Sequence, residues 1–503
     1  MKRILSLFLA MVMMVTLFTG CTKEELGLWN LTKEVSEISV LEGDENIDID
    51  AEQLFDLIDK QGEKLGMELT TEEKEVLNKI RVFLKENSIQ LLVKYDKDNI
   101  EGTIEINVVT KKTSEKKAFT TVILKGEKVY INIEQIVSYL SDSGLYKADE
   151  LLNIKGKSMK YMMIDLNDLD NSKLGGLKYN IGTDQKLTDK YIAFADELIQ
   201  VVFKDLTTNQ VEKIGTDSYS MSVNGEEMMD VAFDSIIYLI NNYDDFADAF
   251  VDLLNTLTDE ELKSLNIGDS REEIIGSFNE SRQSLKENKD TAISQMEMSK
   301  QMMKSEQIKP ILESILMKYS LAKQNSTTYT DEFSFKMNLT PTINTILQQT
   351  GNTEMIKDDC NISIVATSNI KKSSSLNIIV PTEGVVNAKD IKKYAKQKLR
   401  VNIDHGGYNQ TISEVPTLGY ENLDIKVIND FSYLPARKVV EILGDEINWD
   451  DASKKAYVAV DGQNVYLEGV IVNDRTYIKV RELEKIGYKV NWNETSREVE
   501  IEK

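Results

Sequence analysis

The sequence has few of the residues on which most hydrolytic enzymes and zinc proteins depend. Its 503 residues include a single histidine, His405. Zinc sites with two or more histidine ligands are therefore excluded, and a Ser-His-Asp triad would have to use His405, which has no nucleophile motif near it. We expect His405 to be structural or solvated, with no metal, no cofactor and no enzymatic activity. A carboxylate-based hydrolase is the chemistry that the composition still permits, but no spacing marks an acid and base pair.

Cysteine is almost as scarce. The two cysteines, Cys21 and Cys360, cannot supply a disulfide framework. Cys360 stands where a strand begins, in KDDCNISIV. We interpret it as a small, half-buried apolar residue, with a reactive thiol as the alternative.

Basic residues are outnumbered by acidic ones. The chain has 60 Lys and Arg against 84 Asp and Glu, a formal net charge of −24. Binding to nucleic acid requires Lys and Arg clustered on one face, so we expect no nucleic-acid partner. Hydrophobic residues make up 41% of the chain, enough to bury a core. A chain of this length is expected to form two or three units.

The N-terminus carries the longest apolar run. Lys2 and Arg3 precede apolar residues 4–18, and small residues follow up to Gly20. This pattern predicts a secretory signal at residues 1–20 that is too short to span a membrane. The stretch LFTGC at residues 17–21 resembles the lipobox of bacterial lipoproteins.

The lipobox resemblance implies that Cys21 is lipidated and becomes the mature N-terminus. Two acyl chains anchor a protein stably, whereas one binds marginally. The resemblance therefore places the protein on the extracellular face of the cytoplasmic membrane. An uncleaved N-terminal helix and a cleaved signal that releases a soluble protein are the alternatives.

The body, residues 21–397, mixes two periodicities. Helical spacing recurs between residues 52 and 86, where Thr70 begins a capping pattern, and alternating strands occupy residues 89–135. Residues 270–323 are predicted to be largely helical, with Pro310 starting or kinking the last segment. Three strands follow between residues 328 and 381. We therefore predict an α+β body in which helices accompany a curved antiparallel sheet.

Long antiparallel strands with intercalated helices are similar to the half-barrel of lipoprotein carriers. The resemblance is architectural and involves no specific motif. It implies a sheet that closes over helices and encloses an apolar cavity for a hydrophobic ligand. The same pattern equally describes a filled core, and we expect a filled core in preference to a cavity.

The C-terminal region contains an internal repeat. SYLPARKVVEILGDEINWDDASKKAYV, at residues 432–458, aligns with TYIKVRELEKIGYKVNWNETSREVEI, at residues 476–501. Each copy predicts a strand, a helix of about two turns and a hairpin, and neither copy can bury its apolar face alone. The aligned pairs are Arg437 with Arg481, Gly444 with Gly487 and Trp449 with Trp492.

These paired residues have predictable roles in the repeat. Gly444 and Gly487 are expected to end the helices in the left-handed conformation, and Pro435 suits a first-turn position. Arg437 and Arg481 are expected along the surface where the repeats pack, with carboxylate partners, and a role in ligand binding is the alternative.

The pattern YLPAR…ILG…INWD…K, within residues 398–503, resembles the stalk domain related to the copper amine oxidase N-terminal domain, common on Gram-positive surfaces. The resemblance implies a small α/β module for envelope association and implies no oxidase activity. We expect a non-enzymatic, lipid-anchored envelope protein whose stalk domain contacts cell wall or envelope proteins. A carrier or sensor of a hydrophobic ligand is the alternative.

Overall fold

The computed structural model describes residues 22–502, except for 63–68, 144–152, 155–156, 169–184, 207–209, 260, 263–269, 350–354, 391–396, 405, 413–414, 417–420, 430, 461 and 495. These residues form the mixed α+β fold that the sequence predicts. They divide into two compact units. The first comprises the described residues up to Glu127 with Leu166–Ile379, and the second comprises Lys128–Asp165 with Val380–Lys503.

The helices, numbered in chain order, are α1 Lys23–Ser36, α2 Glu52–Gln61, α3 Thr71–Glu86, α4 Ile133–Asp142, α5 Gln185–Glu197, α6 Gly225–Asn241, α7 Tyr243–Thr256, α8 Arg271–Met303, α9 Lys309–Glu313, α10 Thr340–Gln349 and α11 Ala436–Ile442. The other helical turns are the 3-10 helices Leu166–Asp168 and Val480–Ile486 and the π-helical turn Leu198–Val202. The capping box predicted at Thr70 is confirmed, because Thr70 and Glu73 cap each other's backbone N–H at the start of α3.

The strands of the first half of the chain are β1 Val40–Asp50, β2 Asn87–Asp96, β3 Glu101–Thr110, β4 Lys116–Lys125, β5 Lys128–Asn132, β6 Asn153–Ile154, β7 Lys157–Ser158, β8 Tyr161–Asp165, β9 Val211–Gly215 and β10 Ser218–Asn224. The next are β11 Ile315–Lys323, β12 Thr328–Asn338, β13 Asn361–Lys372, β14 Val385–Asn387, β15 Gln397–Asn402, β16 Gly407–Ile412, β17 Val415–Pro416 and β18 Glu421–Asn422. The last are β19 Lys426–Ile428, β20 Phe431–Pro435, β21 Ile447–Asp450, β22 Lys455–Val460, β23 Gln463–Leu467, β24 Gly469–Val472, β25 Arg475–Lys479, β26 Lys489–Asn493 and β27 Glu498–Glu502.

A large antiparallel sheet organises the first unit. Its strands pair in the order β4-β3-β2-β1-β13-β12-β11-β10-β9. Alternation along the strands collects apolar side chains on one face. Helix α1 covers one end of that face, where Leu28 and Leu31 are buried against Met221 and Leu321.

A helical cluster forms the second core of the first unit. Aromatic side chains of α7 and α8 meet there, and the ring centroids of Phe250 and Phe278 lie 4.7 Å apart. Basic residues of α8 pair with acidic residues of α6 and α7: Arg282 contacts Asp244, and Lys300 contacts Asp234. The side of α8 that faces its neighbours is thus held by both apolar and ionic contacts.

Three parts of the body differ from the prediction. Residues 315–323 form strand β11, although they were predicted as helix, and residues 374–381 contain no strand. Helix α10 had not been predicted. The sequence around β11 is compatible with a helix and with a strand. Leu312, Ile315, Leu316 and Tyr319 follow helical spacing, while Ile315 and Tyr319 also fit the alternation of apolar residues along a strand. Pairing with β10 and β12 decides the outcome in favour of the strand.

The second unit contains the C-terminal repeat together with further strands. The sequence-based bounds placed residues 128–165 in the body, but the parallel pairing of β14 with β8 groups them with the C-terminal residues. Strands β15 to β18 with β26 and β27 form a curled, half-barrel antiparallel sheet. Smaller sheets run in the orders β19-β20-β25-β24 and β21-β22-β23.

The repeat has the predicted strand-helix-hairpin order in both copies. The first is β20, α11, β21 and β22, and the second is β25, the 3-10 helix Val480–Ile486, β26 and β27. Gly444 and Gly487 end the helices with φ values of 84° and 92°, so both left-handed caps are confirmed. Pro435 stands one position earlier than predicted, at the N-cap of α11, because its extended backbone pairs with Tyr477.

The two copies also pack together as predicted. Leu434, Val439 and Leu443 of the first copy share one core with Ile478 and Leu483 of the second. The strands β20 and β25, which open the two copies, pair directly with each other. A single apolar core therefore stabilises both halves of the repeat.

Candidate functional site

A groove of about 1000 Å³ lies beside α11 in the second unit. One wall is formed by α11, and another by the hairpin β24-β25. Strands β21 and β22 contribute apolar side chains to the lining, including Ile447 and Ala456. The groove thus depends on elements from both copies of the repeat.

Large apolar side chains are exposed in this groove. Trp449 on β21 is 37% exposed, and Ile471 on β24 is 57% exposed. The Trp449 ring is held at its polar end, where Nε1 donates to Asp451 at 3.2 Å. An oriented aromatic ring beside an exposed aliphatic side chain is suited to bind the apolar part of a partner.

Charged groups of both signs line the same groove. Arg437 and Glu441 project from α11, and Asp474 and Arg475 lie on the β24-β25 hairpin. Within the described residues, none of these four takes part in an ion pair or a side-chain hydrogen bond. Their charged ends are therefore available to a partner, unlike Lys438, whose Nζ donates to the carbonyl oxygen of Asn422 at 2.8 Å.

A third carboxylate in the lining, Asp424, is already engaged. Lys426 Nζ and the Tyr477 hydroxyl both donate to it, each at 2.5 Å. These two bonds, with smaller contributions from the positive charges of Lys426 and Arg475, hold the pKa of Asp424 below its usual value. The same bond to Asp424 raises the pKa of the Tyr477 hydroxyl. Asp424 is consequently a structural link between β19 and β25.

The arginines of the repeat are more exposed than predicted, and its tryptophans are also partly exposed. Arg437 and Arg481 both lie on the exposed surface, so the prediction that they lie along the packed interface is wrong. Arg481 has a carboxylate partner within its own 3-10 helix, Glu484 at 3.0 Å. Trp492 is 44% exposed, and the guanidinium of Arg497 stacks over its ring at 5.6 Å. Apolar residues of α11 and of the 3-10 helix fill the interface instead.

Two residues singled out from the sequence, Cys21 and His405, lie outside the described residues. Cys360 is fully buried, more deeply than the half-buried position predicted for it. It is a free cysteine, and burial raises the pKa of its thiol. The geometry therefore favours a packing role over a reactive thiol.

The apolar face of the first unit's sheet is a second candidate surface. Ile104 on β3 is 39% exposed and Ile364 on β13 is 37% exposed. Glu45 on β1 and Asp331 on β12 flank Ser368 of β13 on this face. Burial raises the pKa of both carboxyl groups, and their mutual repulsion adds to the increase for Glu45. The face combines partly uncovered apolar side chains with two desolvated carboxyl groups.

A metal-binding group of side chains and a membrane-spanning helix are two features that the described part of the chain does not show. No group of three or more His, Cys, Asp or Glu side chains there is arranged to hold a metal ion. None of the described helices is both long enough and apolar enough to cross a membrane.

Several lining residues of the groove escaped the sequence-based prediction, namely Glu441, Ile471, Asp474 and Arg475. The signal that could have found the hairpin is Asn473-Asp474 between two runs of β-formers, GVIV and RTYIK. Nothing in the sequence indicates that this hairpin faces α11. Comparison with known proteins adds no name to the site: no family model, no curated protein and no solved structure matches this chain.

Proposed function

We propose that this chain is a non-enzymatic, lipid-anchored cell-envelope protein whose C-terminal domain binds cell wall or another envelope protein. The observation that carries the proposal is the groove beside α11. It exposes Trp449 and Ile471 together with the guanidinium groups of Arg437 and Arg475, which form no ion pair with any described residue. The resemblance of the repeat to the stalk domain supports a role in the envelope.

The chemistry of the groove is that of binding. An oriented aromatic ring and an exposed aliphatic side chain bury apolar surface, which contributes about 25 cal/mol per Å². Guanidinium groups bind carboxylates or phosphates through two parallel hydrogen bonds and so fix the orientation of the bound partner. Neither element transfers a proton or attacks a substrate.

The repeat itself offers the matched controls for a binding experiment. The full chain, with Cys21→Ser to keep it in solution, is incubated with purified cell wall and separately with detergent-solubilised envelope protein. Trp449→Ala and Arg437→Gln should each weaken retention about tenfold, the size of one good apolar or ionic contact. The corresponding changes in the second copy, Trp492→Ala and Arg481→Gln, should leave retention within about twofold. Equal losses from both copies, or none from either, would refute binding at the groove.

The anchor has its own test. We propose that Cys21 carries the acyl chains that hold the protein on the extracellular face of the cytoplasmic membrane. Cells grown with a clickable palmitate analogue should label the chain, and Cys21→Ala should abolish the label. The control is Cys360→Ala, which should leave the label unchanged. Label that survives Cys21→Ala contradicts the anchor.

A second function, carriage of a hydrophobic ligand, is favoured by the incompletely covered sheet face of the first unit. Ile104 and Ile364 are exposed there, and the residues paired with each of them on the adjacent strands are also apolar. Organic extraction of the purified chain should release a lipid in stoichiometric amount, detected by mass spectrometry. Ile364→Glu should remove it, whereas Ile379→Glu, at a residue that is 76% exposed outside the sheet, should not. An empty extract counts against this function.

A further inference from the structure

Strand β24 is an open edge of the sheet β19-β20-β25-β24. Among the described residues it pairs with β25 and with no second strand. The hairpin closes through Asn473 and Asp474, whose φ values of 48° and 58° fit a two-residue type I′ turn. In such a hairpin the residues on either side of the turn, here Val472 and Arg475, exchange backbone hydrogen bonds with each other. Along an antiparallel pair of strands these hydrogen-bonded pairs alternate with pairs whose backbone groups point away from the partner strand. The backbone N–H and C=O groups of Gly469 and Ile471 therefore point towards the free edge.

The composition of this edge is unusual for a strand that pairs on one side only. Soluble proteins protect open edges with charged residues, proline or bulges, or by keeping the edge strand very short. Strand β24 is short, with four residues, but its sequence GVIV contains no charged residue and no proline, and its pairing with β25 is regular. The opposite edge of the same sheet, β19, carries Lys426. The edge at β24 is thus left competent to pair.

The open edge also borders the groove. The side chain of Ile471 lines the groove while its backbone groups face the free edge. Side chains alternate between the two faces of a strand, so a segment paired with β24 would direct every second side chain to the face of Ile471. Backbone pairing and groove contacts can therefore be made by one extended segment.

We propose that an extended segment of a partner protein adds to β24 as a new edge strand and places alternate side chains in the groove. Main-chain hydrogen bonds to Gly469 and Ile471 provide affinity, and the groove provides selectivity. The inference rests on the proposed function and names its partner as a protein segment.

The charges of the groove define the segment further. Arg437 and Arg475 carry guanidinium groups with no acidic partner within 4 Å among the described residues, and Arg475 lies opposite the last residue of β24. Glu441 and Asp474 also line the groove, and neither carboxylate forms an ion pair with a described residue. Because Arg475 pairs with Val472, its side chain lies on the face of the sheet opposite to that of Ile471. The segment that complements this set therefore carries apolar side chains on the face of Ile471 and an acidic residue on the other face, towards Arg475.

The probe is a phage-displayed library of random octapeptides, selected on the full chain that carries Cys21→Ser. Selection against the same chain with Arg475→Gln removes peptides that bind elsewhere. The enriched peptides should alternate β-branched and charged residues and lack internal proline. A selection that yields no peptide with this alternation overturns the proposal.

Backbone pairing is tested on the peptide as well as on the protein. The amide nitrogens of the best synthetic peptide are methylated one at a time. Methylation at every second position should weaken binding at least about tenfold, and methylation at the positions between them less than about threefold. A loss that does not alternate overturns strand addition. This measurement leaves the protein unchanged, so it does not depend on the folding of a variant.

The matching change in the protein is Ile471→Pro, which removes an N–H that faces the free edge. Proline is tolerated at such edge positions. Ile471→Thr keeps the N–H and is the control. We expect at least a tenfold loss of peptide binding for Ile471→Pro and a loss below about threefold for Ile471→Thr. If both variants bind the peptide equally, strand addition is refuted. If Ile471→Pro also retains wall binding that Trp449→Ala loses, the proposed function survives that refutation.

Discussion

The strongest stability prediction concerns Tyr488, whose hydroxyl joins the two copies of the repeat. Tyr488 precedes β26 in the second copy, is 3% exposed, and donates to the Leu443 carbonyl oxygen at 3.3 Å and to the Asp445 carboxylate in the first copy. Burial and the bond to Asp445 both raise the pKa of the hydroxyl, so it is protonated at neutral pH. Tyr488→Phe leaves the ring in place and removes these bonds.

The expected cost follows from burial and charge. A hydrogen bond to a charged group contributes about 1.5–3 kcal/mol. We expect Tyr488→Phe to lower the free energy of unfolding of the second unit by about 2 kcal/mol. The control is Tyr466→Phe, since the Tyr466 hydroxyl also donates to a carboxylate, Asp450 at 3.1 Å, but its side chain is 40% exposed. That change should cost less than about 0.5 kcal/mol.

Urea unfolding followed by tryptophan fluorescence measures both variants. Replacing Trp29 with Phe leaves Trp449 and Trp492, which lie in the second unit, as the fluorescent residues. The change in midpoint at constant slope then gives the loss for that unit. If Tyr488→Phe costs no more than Tyr466→Phe, the hydroxyl does not join the copies as the structure indicates.

Three further predictions concern single residues. Gly487→Ala should destabilise the second unit by about 1–2 kcal/mol in urea unfolding, because alanine is strained at a φ of 92°. The control Gly276→Ala, in the open interior of α8, should instead stabilise the protein by up to about 1 kcal/mol. Equal effects of the two changes on the free energy of unfolding would contradict the reasoning. Burial raises the pKa of Glu45 in the folded chain, so its contribution to stability is present below its unfolded pKa and is lost as pH rises through the folded pKa. Glu45→Gln should therefore gain stability over the parent as pH rises from about 4 to 7 in urea titrations, and a constant difference refutes this. In a chain with Cys21→Ser, the Cys360 thiol should react with an aromatic disulfide reagent only after urea unfolding, because it is fully buried. Rapid reaction of the folded chain would contradict that burial.

Short-range sequence patterns predict much of the structure of the repeat. The glycine caps at residues 444 and 487, the strand-helix-hairpin order and the shared apolar core were all predictable. Each depends on backbone preference or on apolar spacing within about thirty residues, which a sequence displays directly. The same holds for the capping box at Thr70.

The exposed surface was harder to predict. Arg437 was expected to lie along the surface where the repeats pack, yet it lines an open groove together with Trp449. Amphipathic side chains suit an interface and a surface equally well, so their spacing does not decide between the two. Which of the two environments they occupy depends on what the neighbouring copy covers.

The sequence by itself determined the α+β class, the duplicated C-terminal unit and the residues that end its helices, because these follow from short-range periodicity and backbone conformation. The tertiary structure alone decided that residues 315–323 form a strand, since strands β10 and β12, distant in sequence, supply the hydrogen bonds. It also decided that β24 ends a sheet beside Arg437 and Trp449. A free edge and a groove are defined by which surfaces remain unpaired after long-range packing, and no local pattern encodes that.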